Sequence, residues 1–284
     1  MTSRRNSCST EPMKYTVQIA LMMLLCAFSP ARAEMTDWVE VQGGAVRLIS
    51  AGPLQDGHYM AGLEFLLEPG WHTYWRYAGE AGIPPQISVT ASDNIENLEI
   101  LYPVPERYDD GFSESIVYHD GIVLPFRITP AVKDQDAKLE VEVFFGICKD
   151  VCVPGDAALT LDFNPSGNND ALSKRLIERD LTAVPRQETN NGLEINSVTH
   201  DGKGFLLVEA TVGDDGEADL FAAGPEGSFI GLPKPLGRNG DKATWRLSTK
   251  GLATTASDRQ LRLVLSSNGT GVERLEPISA DWID

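Results

Sequence analysis

Cysteine and histidine are both scarce in this chain. It has four of each in 284 residues, and the cysteines are Cys8, Cys26, Cys148 and Cys152. A zinc site takes four protein ligands, or three and a water, so His58, His72, His119 and His200 could supply one only by convergence from scattered positions. Positive charge is also in short supply: 24 Lys and Arg face 41 Asp and Glu, for a net charge of −17. That argues against nucleic acid as a partner, because phosphate binding depends on clustered basic side chains. It leaves basic or neutral partners, and its plainest consequence is solubility. Beyond residue 33 no segment has the roughly 20 apolar residues that span a bilayer. Apolar content of 42% and charged content of 23% are ordinary for a folding chain.

The amino terminus divides the cysteines. Lys14 precedes the apolar run "VQIALMMLLCAF", which ends in "SPARA", with Ala31-Arg32-Ala33 as a small-residue cleavage site. A basic start, a short apolar stretch and an A-x-A ending make an export signal over residues 1–33. Met13 would serve as a start as well as Met1. Cleavage after Ala33 removes Cys8 and Cys26. It also removes four basic residues (Arg4, Arg5, Lys14, Arg32) and one acid (Glu11), taking the charge from −17 to −20. The expected mature protein is exported, in a compartment where disulfides are permitted, and keeps the single pair Cys148 and Cys152.

From Trp38 to about Phe163 short β-rich segments alternate with turns. "AVRLIS", "MAGLEFLL", "QISVT", "IVLPFRI" and "KLEVEVFF" are separated by Gly, Pro and Asp clusters, the pattern of a β-sandwich. The stretch 166–190 is polar and predicts a short helix, capped by Asp170, with Leu172, Leu176 and Ile177 as its apolar stripe and Pro185 as its stop. Strands then resume in "GFLLVEATV", "ADLFAA", "ATWRLST" and "RQLRLVLSS". The expected fold is all-β: a sandwich over 34–165, a helical linker over 166–190 and a second sandwich over 191–284.

In "FFGICKDVCVPGDAALTLDF" the two cysteines stand four positions apart between strand patterns. As a staple the pair would close a loop of five residues, worth about 2 kcal/mol in the chain-entropy model. Bridging distant strands would stabilise a domain of this size more. Thiolates are soft ligands suited to copper(I), but the mature chain keeps only Met35 and Met60, too few for a methionine-rich copper site. Thiol–disulfide exchange asks least of the rest of the chain: one accessible sulfur, a second to resolve the mixed disulfide, and a partner. Lys149 would lower a neighbouring thiol pKa and Asp150 would raise it; their plainer reading is a polar turn. His72 and His119 read as structural histidines. Staple, copper site and redox pair all stay open at this point.

Four motifs occurring in order carry a family resemblance: "EPGWHTYWRYAGEAGIPP" (68–85), "YPVPERYDDGF" (102–112), "IVLPFRI" (122–128) and "GICKDVCVPGDAALTL" (146–161). Together they resemble the amino-terminal periplasmic domain of the DsbD thiol–disulfide reductase family, and more closely its ScsB relatives. The resemblance implies an immunoglobulin-like sandwich whose cysteine pair takes electrons from a membrane domain and reduces exported proteins. It assigns the mixed disulfide to Cys152 and resolution to Cys148. It implies a cap over the sulfurs formed by Asp109, Asp110 and Phe112, with Phe112 as the lid, and it places Tyr74 near the pair. Trp71 and Trp75 divide between sandwich core and docking face.

For a chain that stops at Asp284, the expectation is an electron donor supplied in trans. That donor is a membrane thiol reductase of the DsbD/CcdA type or a thioredoxin-like protein, and the clients are oxidised periplasmic proteins. No cofactor is implied beyond the redox-active disulfide. A periplasmic copper(I)-binding role for Cys148 and Cys152 is the alternative.

Overall fold

The computed structural model describes residues 34–187, 189, 192–213, 217–253 and 259–282. The expected export signal over 1–33 lies outside them. Alternation of apolar and polar residues builds most strands. Strand β10 (Ala137–Cys148) turns Leu139, Val141, Val143 and Phe145 inward, while Lys138, Glu140 and Glu142 face out. Strand β11 (Cys152–Phe163) answers with inward Ala157, Leu159, Leu161 and Phe163. Burying one such side chain contributes about 1.5–3 kcal/mol, which fixes the register, since a slip of one residue would turn the whole set to solvent.

Two antiparallel sheets face each other across this core. One runs β1 (Val39–Val41), β2 (Gly44–Ser50), β3 (Tyr59–Leu67), β9 (Ile122–Thr129), β6 (Asn97–Ile100). The other runs β11, β10, β4 (His72–Gly79), β8 (Glu114–His119), β7 (Glu106–Asp109), with β5 (Gln86–Val89) also paired to β10. Phe65 and Phe145 meet edge to face between the sheets at 5.3 Å.

Helix α1 (Ala171–Leu181) has the expected cap: Asp170 accepts from Leu172 N at 3.0 Å and from Ser173 Oγ at 2.5 Å. Its buried face is Ser173, Ile177 and Asp180, which packs on Ile49 and Val123 of the first sheet, and Asp180 accepts from Val123 N at 2.7 Å. Leu172, expected in the apolar stripe, is exposed. The spacing 173–177–180 is the helical face that meets the sheet, and Leu172 lies off it.

A second pair of antiparallel sheets follows. One is β12 (Leu193–His200), β13 (Phe205–Val212), β16 (Lys242–Ser248), β15 (Lys234–Asn239); the other is β14 (Ala218–Ala223), β17 (Gln260–Ser267), β18 (Thr270–Pro277). The chain is thus almost entirely β, as expected. The apolar cluster of the first sheet pair also takes in Phe221, Ala223, Leu232 and Val264 of the second. Among the described residues no helix is long and apolar enough to cross a membrane.

Candidate functional site: the Cys148–Cys152 hairpin tip

Twelve directly opposed pairs zip β10 to β11, from Ala137↔Phe163 to Cys148↔Cys152. The cysteines are therefore the last pair of a hairpin whose tip is Lys149, Asp150 and Val151. Facing each other across the ladder with Cα atoms 4.1 Å apart, they form a disulfide. The ladder already holds this hairpin closed, so the cross-link adds little as a staple.

At its end β10 changes neighbour. It pairs with β5 from Val141 to Phe144 and with β4 only at Cys148↔His72. Gly146 marks the crossing: its N–H donates to Ile83 O at 3.0 Å and its carbonyl accepts from Thr73 Oγ1 at 2.9 Å. A Cβ there would stand 2.9 Å from Ile83 Cβ and 3.2 Å from the Cys152 sulfur, so only glycine fits without displacing them.

The two sulfurs have different surroundings. Cys148 is buried, 4% exposed, in a cluster with Tyr74, Ala78 and Val117; Cys152 is exposed. The Tyr74 hydroxyl donates to Cys148 Sγ at 2.8 Å and lies 3.7 Å from Cys152 Sγ. The Tyr74 ring is held beneath Gly82, whose backbone (φ +118°) passes so close that a Cβ would come within 2.1 Å of the ring. Burial first, then the charges of Asp110 and Tyr108, push the Tyr74 pKa up to about 12, so it stays a proton donor.

Beside Tyr74, three strands align Cys148, His72 and His119 in one row. The His72 ring packs on Tyr108 at 4.7 Å, Tyr74 at 5.4 Å and His119 at 5.7 Å. Burial, reinforced by His119, lowers the His72 pKa to about 4 and keeps the ring neutral, against the opposing pull of Asp110. His119 Nδ1 lies 2.9 Å from Glu106 Oε2.

The acidic loop joins β7 to β8. Asp109 accepts from Gly111 N at 2.7 Å, and Asp110 accepts from Phe112 N and Ser113 N at 2.8 Å, which lowers the Asp110 pKa. The Asp110 charge reaches both Tyr74 and His72. Phe112, expected as a lid, does not cover the sulfurs: it is 99% exposed. The turn closed by the Asp110 carboxylate and by Gly111 at φ +86° leaves its ring in solvent. Trp75 is core, 1% exposed, and Trp71 packs half-buried at the core's edge. Lys149 Nζ turns to Pro69 O at 3.4 Å.

Nothing in the local sequence singles out Gly82 or Tyr108, whereas Gly146 stands two residues before Cys148 at the end of the strand pattern. Among the described residues no group of three or more His, Cys, Asp or Glu is arranged to hold a metal ion. A copper(I) ion would have the two sulfurs of the reduced pair as its protein ligands.

Residues 44–164 match the family model described as thiol:disulfide interchange protein DsbD, N-terminal. The fold is similar to the crystal structure of the N-terminal periplasmic domain of ScsB from Proteus mirabilis. The TM-score is 0.68 at 21% identity, over 87% of this chain and 98% of that one. No curated protein sequence matches the chain. The likeness to the ScsB structure, at this identity, shows the fold, while the family match spans both cysteines, Tyr74 and the acidic loop. The segment 44–164 is a domain of the DsbD N-terminal family.

Proposed function

We propose that the protein is a periplasmic thiol–disulfide interchange protein that passes electron pairs through Cys148 and Cys152 to oxidised exported clients. The observation that carries this reading is the asymmetry of the pair: Cys152 is exposed, while Cys148 is buried with its sulfur under a hydroxyl donor. Exchange needs an accessible sulfur to be attacked and a leaving sulfur whose negative charge is stabilised. The family match over 44–164 and the fold shared with a periplasmic ScsB domain support it.

The cycle has two halves. A donor thiolate attacks Sγ of Cys152; the donor–Cys152 bond forms, the Cys148–Cys152 bond breaks, and Cys148 leaves as a thiolate that accepts from Tyr74. The donor's second thiolate then attacks its own sulfur in the mixed disulfide. The donor departs oxidised, and the two protons it releases end on the Cys148–Cys152 dithiol. In the second half the Cys152 thiolate attacks a client disulfide. Cys148 then attacks Cys152 Sγ, which frees the reduced client and restores the pair. The donor class is a membrane thiol reductase of the DsbD/CcdA type or a thioredoxin-like protein.

The test is the reduction potential of the pair, measured by alkylation after equilibration in glutathione buffers. A value between about −160 and −280 mV belongs to exchange-active pairs; one below about −300 mV marks a structural disulfide and overturns the reading.

A further inference from the structure

Strand β4 carries Tyr74 and His72 at one end and meets the second sheet pair at the other. Its ladder with β8 runs His72↔His119, Thr73↔Tyr118, Tyr74↔Val117 and then breaks, resuming only at Gly79↔Ser115. Five steps on β4 thus match two on β8, an irregularity of the kind that re-aims side chains beside active sites. Within this break Trp75 and Tyr77 are held by the second sheet pair, as is Gly79 where the ladder resumes. Trp75 packs on Phe221, with rings 6.4 Å apart. The Tyr77 hydroxyl donates to Ile230 O. Gly79 lies so close to Leu232 that a Cβ would come 2.9 Å from Leu232 Cδ1.

The other wall of the site is held in the same way. Arg107, between Glu106 and Tyr108 on β7, makes a two-pronged pair with Asp219 of β14 at 2.8 and 2.9 Å and donates to Pro233 O at 3.0 Å. Its neighbours are the residues that touch His119 and His72. Residues 219–233 therefore hold β4, which pairs with Cys148 through His72, and β7, whose Tyr108 packs on His72. A spacer would need none of these contacts.

We propose that the second sheet pair is a brace for the redox pair. By holding Trp75–Gly79 and Arg107 it fixes the Tyr74 hydroxyl on Cys148, and so sets the balance between disulfide and dithiol. Tyr77, Arg107 and Asp219 are positioning residues in this scheme: they act through Tyr74 and touch neither sulfur. The proposal rests on the exchange reading above.

The test compares full-length Tyr77→Phe and Asp219→Asn with wild type by their equilibrium constants with glutathione. Each is expected to shift the constant about three- to tenfold, the effect of one hydrogen bond. Neither is expected to add to Tyr74→Phe when combined with it, because all three act at one hydroxyl. Val208→Ala, in the second sheet pair's own core, should lower the melting temperature and leave the constant unchanged. Should Asp219→Asn fail to fold, Tyr77→Phe, which deletes a single oxygen, carries the test alone. The brace is overturned if a wild-type pair that exchanges keeps its constant in these variants, or if their effects add fully to that of Tyr74→Phe. A wild-type pair that does not exchange with glutathione sinks the exchange reading itself, and the brace with it.

Discussion

The Tyr74 hydroxyl donates to the sulfur of Cys148 over 2.8 Å, and the sulfur of Cys152 stands 3.7 Å from the same oxygen. A disulfide sulfur is a weak acceptor, so the bond gains most once Cys148 carries charge. Hydrogen bonds to charged groups are worth about 1.5–3 kcal/mol. Tyr74→Phe should therefore slow reduction of the disulfide by dithiothreitol at fixed pH by about tenfold or more, with little change in fold by circular dichroism. Equal rates in the two proteins would mean that the hydroxyl is only packed there.

The unequal exposure of Cys148 and Cys152 predicts their chemistry. In the reduced protein, limiting iodoacetamide should label Cys152 ahead of Cys148, read by peptide mass spectrometry. Cys152→Ala should abolish reduction of a disulfide-bearing client. Cys148→Ala should instead accumulate a mixed disulfide visible on a non-reducing gel. If Cys148 is labelled first, or if both variants still reduce clients, the assigned order of attack is wrong.

What could be read from sequence was local. The alternation in "KLEVEVFF" and "AALTLDF" announces β10 and β11, and their meeting at Cys148 and Cys152 follows from the hairpin. The row Cys148, His72, His119 is different, because it depends on the register of three strands that no local pattern encodes. So does the Tyr74–Cys148 contact, which needs Gly82 folded back over the ring. Strand β15, "KPLGRN", is exposed at every position and gives no alternation to detect; it exists through its ladder with β16. Helix α1 was legible in its cap, which is a local signal. Its docked face was not, because that face is completed by Asp180 on the backbone of distant Val123.

Charge at the site predicts selectivity among small thiols. The Asp110 charge is fixed by its own loop and reaches Tyr74, while Asp150 sits exposed between the cysteines. Fixed charges of one sign raise the local concentration of the opposite sign and act over about 10 Å at 0.1 M salt. Cationic cysteamine should reduce the pair several-fold faster than anionic glutathione, after correction for thiol pKa. The ratio should shrink in 1 M salt and in Asp110→Asn. A ratio insensitive to both would remove the acidic loop from substrate choice.

His72 gives the site a pH signature in stability. Its folded pKa of about 4 lies below the unfolded value near 6.5, so the fold favours the neutral ring. The stability this contributes is complete above pH ~6.5. It is lost as pH falls from there toward 4, because the unfolded chain takes up the proton first. The shift corresponds to at most about 3 kcal/mol. His72→Phe keeps a ring against Tyr108 and removes the titration. Urea unfolding at pH 7, 5.5 and 4 should show wild type losing stability more steeply than the variant, with a gap of roughly 2–3 kcal/mol by pH 4. Parallel losses would show that His72 takes up its proton as readily in the folded protein as in the unfolded chain. The buried, neutral imidazole beside Cys148 would then have to be abandoned.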